Sequence, residues 1–112
     1  MALKFFGGDG LEKQHRRLQG KVAIATGAGT GIGEAIAHKF AREGAKVVVC
    51  GLPSDPIEHV AKAIRDKKGE AIAFGGDISE ERVAKECIDV TIKKFKQLDV
   101  LVNNAASFSI TR

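Results

Sequence analysis

Thr26-Gly27-Ala28-Gly29-Thr30-Gly31-Ile32-Gly33 follows the apolar run Val22-Ala23-Ile24-Ala25 and leads into a segment where Ile32, Ile36 and Phe40 recur at four-residue spacing. A short apolar run bounded by glycine reads as a strand buried on both faces, here Val22 to Thr26. The four-residue recurrence reads as an amphipathic helix that ends at Gly44. Glycine turns the chain sharply at φ > 0 and lets a ligand approach the backbone with no Cβ in the way. The helix that follows offers free N–H groups and its positive dipole end to the same spot, which suits a phosphate. Gly33, in the first helical turn, lets the helix pack close to the sheet.

The alternation repeats outward from this loop. Lys46-Val47-Val48-Val49-Cys50 is a second β-branched run, and Pro53 and Pro56 mark a loop after it. Ile57, Val60, Ala61 and Ile64 fit a second helix; Lys67 and Lys68 suit its dipole end, and Gly69 is expected to stop it. Glu70-Ala71-Ile72-Ala73-Phe74 reads as a third strand. Ser79 is expected to cap a third helix, with Glu80 and Glu81 in its first turn and a buried stripe of Ala84, Cys87, Ile88, Thr91 and Phe95. Lys93, Lys94 and Lys96 form its solvated basic end, and Asp99-Val100-Leu101-Val102-Asn103 is a fourth strand. Strand and helix in alternation predict an α/β fold: a Rossmann-type, doubly wound parallel sheet of order 3-2-1-4, truncated after the fourth strand. Its ligand crevice lies between strands 1 and 4, where the strand order reverses. Residues 1–20 read as an N-terminal extension, a surface arm or a docking contact through Phe5 and Phe6, with Leu11 to Leu18 able to form one short helix. Residues 21–112 read as half of a dinucleotide-binding domain.

Composition narrows the function. The 112 residues make one domain, with 44% hydrophobic and 29% charged residues, so whole-chain disorder and fibrous repeats are excluded. The apolar run at Val47 to Cys50 falls far short of the ~18 residues a membrane helix needs. No signal peptide is visible, so a cytoplasmic location is expected. A net charge of +4 without Trp or Tyr gives no basic, aromatic-laced surface for nucleic acid. Cys50 and Cys87 build no metal cage or disulfide framework and read as buried, reduced thiols, while His15, His38 and His59 read as surface residues. No metal site is expected.

Three phosphate-loop chemistries can be compared. A P-loop needs Lys and then Ser or Thr after its last glycine, where Ile32-Gly33-Glu34 stands. S-adenosylmethionine methyltransferases use Gly-x-Gly-x-Gly, which Gly27, Gly29 and Gly31 satisfy, but Ala25 and Cys50-Gly51 stand where that class carries acids. A methyltransferase fragment is kept as the remoter alternative. The common dinucleotide fingerprint would place a glycine at Ile32; the spacing present is Gly-x-x-x-Gly-x-Gly.

With that spacing the sequence resembles the short-chain dehydrogenase/reductases, whose cofactor motif Thr-Gly-x-x-x-Gly-x-Gly matches Thr26 to Gly33. Leu18-Gln19-Gly20-Lys21-Val22 is similar to the family's entry into its first strand. Asp77-Ile78 is similar to its adenine-contacting pair. Asn103-Asn104-Ala105-Ala106 is similar to its Asn-Asn-Ala-Gly motif, with Ala106 in place of glycine. The resemblance spans roughly residues 18 to 110. It implies an NAD or NADP site formed by Gly27, Thr30, Gly31, Ile32 and Gly33 around the pyrophosphate, Asp77 and Ile78 at the adenine, and Asn104 and Ala105 beside the ribose. Chemistry alone leaves alternatives: Asp77 also fits a helix-initiating Asp beside Ser79, and the Asn104 amide also fits a structural tie from strand 4 to neighbouring backbone.

Family catalysis rests on a Ser, a Tyr-x-x-x-Lys pair and a helper Asn beyond the Asn-Asn-Ala motif, the Tyr serving as general acid/base. This sequence contains no Tyr, so no catalytic residue is assigned. The expectation is the cofactor half of a longer NAD(P)-dependent oxidoreductase acting on a small alcohol or carbonyl, inactive alone, with an exposed apolar fourth strand, and a homo-oligomer when full length. The alternative is a non-catalytic dinucleotide-binding or assembly module. For cofactor choice, Gly51 and Leu52 at the end of strand 2 are neither acidic nor basic, Thr30 is uncharged, and the nearest acid, Asp55, lies beyond Pro53. Weak discrimination with a slight lean to NAD is expected.

Overall fold

Val22–Ala25 (β1) pairs in parallel with Lys46–Gly51 (β2) on one side and Val100–Val102 (β4) on the other, and β2 pairs in parallel with Ala71–Gly75 (β3). The sheet order is therefore β3-β2-β1-β4, as the alternation predicts. The helices between them are Gly31–Arg42 (α1), Ile57–Asp66 (α2) and Glu81–Phe95 (α3). This is a computed structural model, and it describes residues 17–104. The expectations for Phe5, Phe6, His15 and Ala105, and for the Leu11–Leu18 segment apart from Arg17 and Leu18, lie outside those residues.

Side-chain alternation along the strands sends two apolar sets to opposite faces. Ala23, Ala25, Val47 and Val49 meet Ala37 and Phe40 of α1 and Val60, Ala61 and Ile64 of α2. Ile24, Val48 and Cys50 meet Cys87 of α3, with Ile72, Phe74, Phe95 and Leu98 around them. All four residues of β1 are buried, which explains why the run carries no polar position. The two cysteines are buried, free of any disulfide, and packed in one cluster. The neighbouring Cys87 thiol and the apolar surroundings push the Cys50 thiol far above its ordinary range.

Several local expectations are corrected. Ser79 does not cap α3: Glu80 holds the cap position without a side-chain cap bond, and the Ser79 hydroxyl donates to Asp77 instead. Lys68, not Gly69, takes the left-handed conformation after α2, at φ 75°. Gly69 is held by close packing, because a Cβ there would lie 2.7 Å from Ile64 Cγ2. On α3, Cys87 and Thr91 are buried, but Ile88 is 38% exposed. The single line of contact between a helix and a sheet is narrower than a full apolar stripe, so residues at the stripe's margin stay open. His38 is half-buried, with Nε2 3.6 Å from Glu34, whereas His59 is exposed as expected. The fourth strand is short, with Val102 buried and Leu101 56% exposed. Residues 17 and 18 are tied to the end of α1: Arg17 N–H donates to the buried Glu43 carboxylate at 3.1 Å, and Leu18 N–H to its carbonyl at 2.7 Å.

Candidate functional site

The carboxyl ends of β1 and β4 are joined by one hydroxyl. Thr26 Oγ1 donates to Val102 O at 3.1 Å and accepts from Asn104 N–H at 2.8 Å, while Thr26 N–H donates to Val102 O at 3.0 Å. Thr26 is 2% exposed, so this bridge is shielded from water. It fixes the edge from which the glycine loop departs. Thr26 is a positioning residue that the sequence offered only as the first letter of a motif.

The loop then meets three different demands. Gly27 and Gly31 both have φ 60°, the left-handed region that glycine enters without steric cost. A Cβ on Gly31 would meet no atom of the protein within 4 Å, so the space above it is open. Gly33 answers the opposite demand: a Cβ there would overlap the Gly27 carbonyl oxygen and lie 2.6 Å from its carbon and 2.9 Å from Asn104 Nδ2. The first turn of α1 thus rests directly on the loop and on the chain leaving β4.

Thr30 is the N-cap of α1, extended at φ −150° and ψ 165°, and its side chain makes no cap bond. The N–H groups of Gly31, Ile32 and Gly33 have no acceptor among the described residues. They are the orphan donors of a helix start, beside the open space at Gly31. The Ile32 side chain is 73% exposed at the same mouth. Gly27, Thr30, Gly31, Ile32, Gly33 and Asn104 therefore lie at one edge of the sheet, at the switch between β1 and β4. The tie from β4 runs through the Asn104 backbone N–H rather than its side-chain amide, whose Nδ2 lies beside Gly33.

Asp77 and Ile78 follow β3, two strands away along the same edge. Asp77 Oδ1 accepts from the Ser79 hydroxyl at 2.6 Å and from Ser79 N–H at 3.0 Å. These two bonds hold its carboxyl below the usual carboxylate range. Asp77 thus closes a turn on Ser79 ahead of α3, with Oδ2 left over. The Ile78 side chain packs against the Cys87 cluster.

One acid that sequence order placed too far away comes back to the site. Asp55 folds onto the end of β2: a Cβ on Gly51 would lie 3.1 Å from Asp55 Oδ2, and a Cβ on Gly29 would lie 2.7 Å from Asp55 Cβ. The signal available in the sequence was the Pro53 and Pro56 pair, which favours a turn over a strand exit. Among the described residues no group of three His, Cys, Asp or Glu side chains is placed to hold a metal.

Residues 21–111 match the family model of the short chain dehydrogenases. The chain belongs to that family. The 7alpha-hydroxysteroid dehydrogenase of Escherichia coli (strain K12) is 46% identical over 89 residues, covering 80% of this chain and 35% of the relative. Xanthoxin dehydrogenase of Arabidopsis thaliana is 40% identical over 92 residues, covering 80% of this chain and 32% of the relative. A crystal structure of a hydroxysteroid dehydrogenase from Escherichia coli superposes with a TM-score of 0.79 at 43% identity, covering 86% of this chain and 40% of that one. A 7 alpha-hydroxysteroid dehydrogenase complexed with NADH and 7-oxo glycochenodeoxycholic acid gives a TM-score of 0.79 at 44% identity, over 83% of this chain and 36% of that one. This short-chain dehydrogenase sequence spans about a third of the length of the curated relatives it matches.

Proposed function

We propose that this chain binds NAD(P) at the carboxyl edge of β1 and β4 and forms the cofactor-holding part of an oxidoreductase acting on an alcohol or carbonyl. The observation that carries this reading is the loop itself: open space at Gly31 beside the unpaired N–H groups of Gly31, Ile32 and Gly33. A side chain at Gly31 would fill the cradle, and the donor set suits a pyrophosphate. In this reading Thr30, Gly31 and Ile32 hold the pyrophosphate, Asp77 and Ile78 flank the adenine, and Asn104 and Ala105 flank the ribose. When bound, the dinucleotide supplies the hydride donor or acceptor. The protein's own contribution is orientation: Thr26 locks β1 to β4, and Gly33 seats α1 against the loop.

The substrate is read as a class. The relatives include a steroid dehydrogenase and an L-rhamnose-1-dehydrogenase, so a small alcohol or carbonyl carries over and a single compound does not. The chain has no Tyr to act as general acid/base, so it performs no hydride transfer unaided. The same fact favours the second reading, a non-catalytic dinucleotide-binding module. Intact mass of the native gene product separates the two, since only a markedly longer product has room for the catalytic residues. No helix among the described residues is long and apolar enough to cross a membrane; a cytoplasmic, homo-oligomeric enzyme is the proposed setting, with a lean to NAD.

Calorimetry with NADH and NADPH tests the site. Gly31→Val should place a branched side chain in the open space and weaken binding at least about tenfold, ~1.4 kcal/mol. Equal affinity of the two proteins, with matching circular dichroism, would remove the loop from the site.

A further inference from the structure

We propose that a notch between the C-terminal ends of α1 and α2 binds a short aliphatic carboxylate. It lies about 15 Å along α1 from Gly31, at the end of the helix away from the glycine loop. The notch measures about 40 Å³ and is lined by His38, Ala41 and Arg42 of α1 and by Ile64, Lys67 and Gly69 at the end of α2. Space of that size holds about three water molecules, or an alkyl chain of roughly that many carbons. The space is there because residue 69 has no side chain: a Cβ would lie 2.7 Å from Ile64 Cγ2 and 3.6 Å from Ala41 Cβ, between the two helices.

The lining is divided by chemistry. Ala41, buried Ile64 and Gly69 make an apolar floor, and Arg42 and Lys67 are exposed cations at its edge. Neither cation has an ion pair or a side-chain hydrogen bond among the described residues. The other lysines and arginines of α1 and α2 are paired: Lys39 with Glu43 at 3.4 Å, Lys62 with Asp66 at 3.1 Å and Arg65 with Glu58 at 2.6 Å. Glu43 and Asp66, the acids adjacent in sequence to Arg42 and Lys67, are thus engaged elsewhere. His38 Nε2 is turned to Glu34 at 3.6 Å, so the uncompensated charge belongs to Arg42 and Lys67.

Cations near a helix C-terminus commonly hold its last carbonyls. Here backbone donors do that work. Gly44 N–H donates to Ala41 O at 3.0 Å, and Lys67 and Gly69 N–H donate to Ile64 O at 3.1 and 3.0 Å. An apolar floor with free cations at its rim complements a carboxylate on a short alkyl chain. The chain displaces water from the floor, and the carboxylate meets the Arg42 guanidinium and the Lys67 ammonium. Inorganic phosphate has no apolar part for the floor, and an alcohol has no charge for the rim. The negative ends of the two helix dipoles oppose an anion, which keeps binding weak and dependent on both halves of the ligand.

Butyrate titrated into the 112-residue chain, followed by two-dimensional NMR, should shift the Ala41 and Gly69 amides saturably. Butanol and inorganic phosphate at the same concentrations should leave those amides in place. Arg42→Ser combined with Lys67→Ser should weaken butyrate binding about fivefold or more. Arg42→Gln with Lys67→Gln, checked by circular dichroism, gives the same readout should the serine pair misfold. Gly31→Val should bind butyrate as the wild type does, which separates this notch from the dinucleotide site. Shifts that do not saturate, equal shifts from butanol or phosphate, charge-free variants that bind as tightly as the wild type, or loss of butyrate binding in Gly31→Val would each overturn the proposal.

Discussion

Gly33→Ala adds one methyl group at the tightest point of the site. The new Cβ would overlap the Gly27 carbonyl oxygen and lie 2.6 Å from its carbon, where ordinary contact begins at 3.4 Å. The first turn of α1 would have to retreat by more than about 1 Å to clear that oxygen, and Asn104 Nδ2, 2.9 Å away, would have to move as well. The Gly27 obstacle is backbone and cannot swing aside, whereas the Asn104 amide is a side-chain end that can turn away. Overlap with a backbone oxygen belongs to the upper end of the overpacking range, about 2–3 kcal/mol. Replacing Gly by Ala inside a helix returns up to about 1 kcal/mol. The net expectation is a loss of about 1–2 kcal/mol, a drop in Tm of roughly 4–16 °C for a domain of this size. Urea unfolding followed by circular dichroism measures it, with Gly31→Ala as the comparison. That second variant meets no protein atom and bears only the cost of a left-handed residue, about 1–2 kcal/mol, but it should impair dinucleotide binding. A Gly33→Ala protein as stable as the wild type, with α1 unmoved, would refute the close approach on which the site geometry depends.

Other expectations follow from the same contacts. Thr26→Val keeps the shape but removes the bridge to Val102 O and Asn104 N–H; it should cost about 1–2 kcal/mol and speed amide exchange at Asn104, whereas Thr26→Ser should preserve both. Asp99 accepts from Val22 N–H at 2.8 Å and Gln97 Nε2 at 2.6 Å, which holds its carboxyl below the ordinary 3.8. A lowered folded value gives stability that is present above the unfolded value and lost as pH falls through the folded one, so Asp99→Asn should be less stable than wild type at neutral pH, with the gap closing as pH falls through the folded value; urea melts across pH check the convergence. The Cys50 thiol, buried and pushed up by Cys87, should resist alkylation at pH 8 until the protein unfolds, as mass spectrometry after iodoacetamide would show.

Strand and helix types, their order and the parallel sheet were legible because they depend on local pattern: continuous β-branched runs, four-residue apolar spacing and glycine at the turns. The family was legible in the spacing of Thr26 to Gly33 and in Asn103-Asn104. Which glycine does what was not. Gly31 and Gly33 are two residues apart, yet one faces open space and the other a carbonyl, and only the placement of β4 against β1 separates them. The Thr26 bridge reaches partners more than seventy residues away in sequence, so no local rule could indicate whether its hydroxyl or the Asn104 amide makes the tie. Ser79 satisfied every local preference for an N-cap, yet Glu80 holds the cap position and the Ser79 hydroxyl donates to Asp77. Asp55 looked too distant from β2 because sequence counts residues along the chain. Tertiary structure decides where a turn returns, and here a pair of reciprocal hydrogen bonds brings a carboxylate back to the strand end that bare Gly51 leaves free.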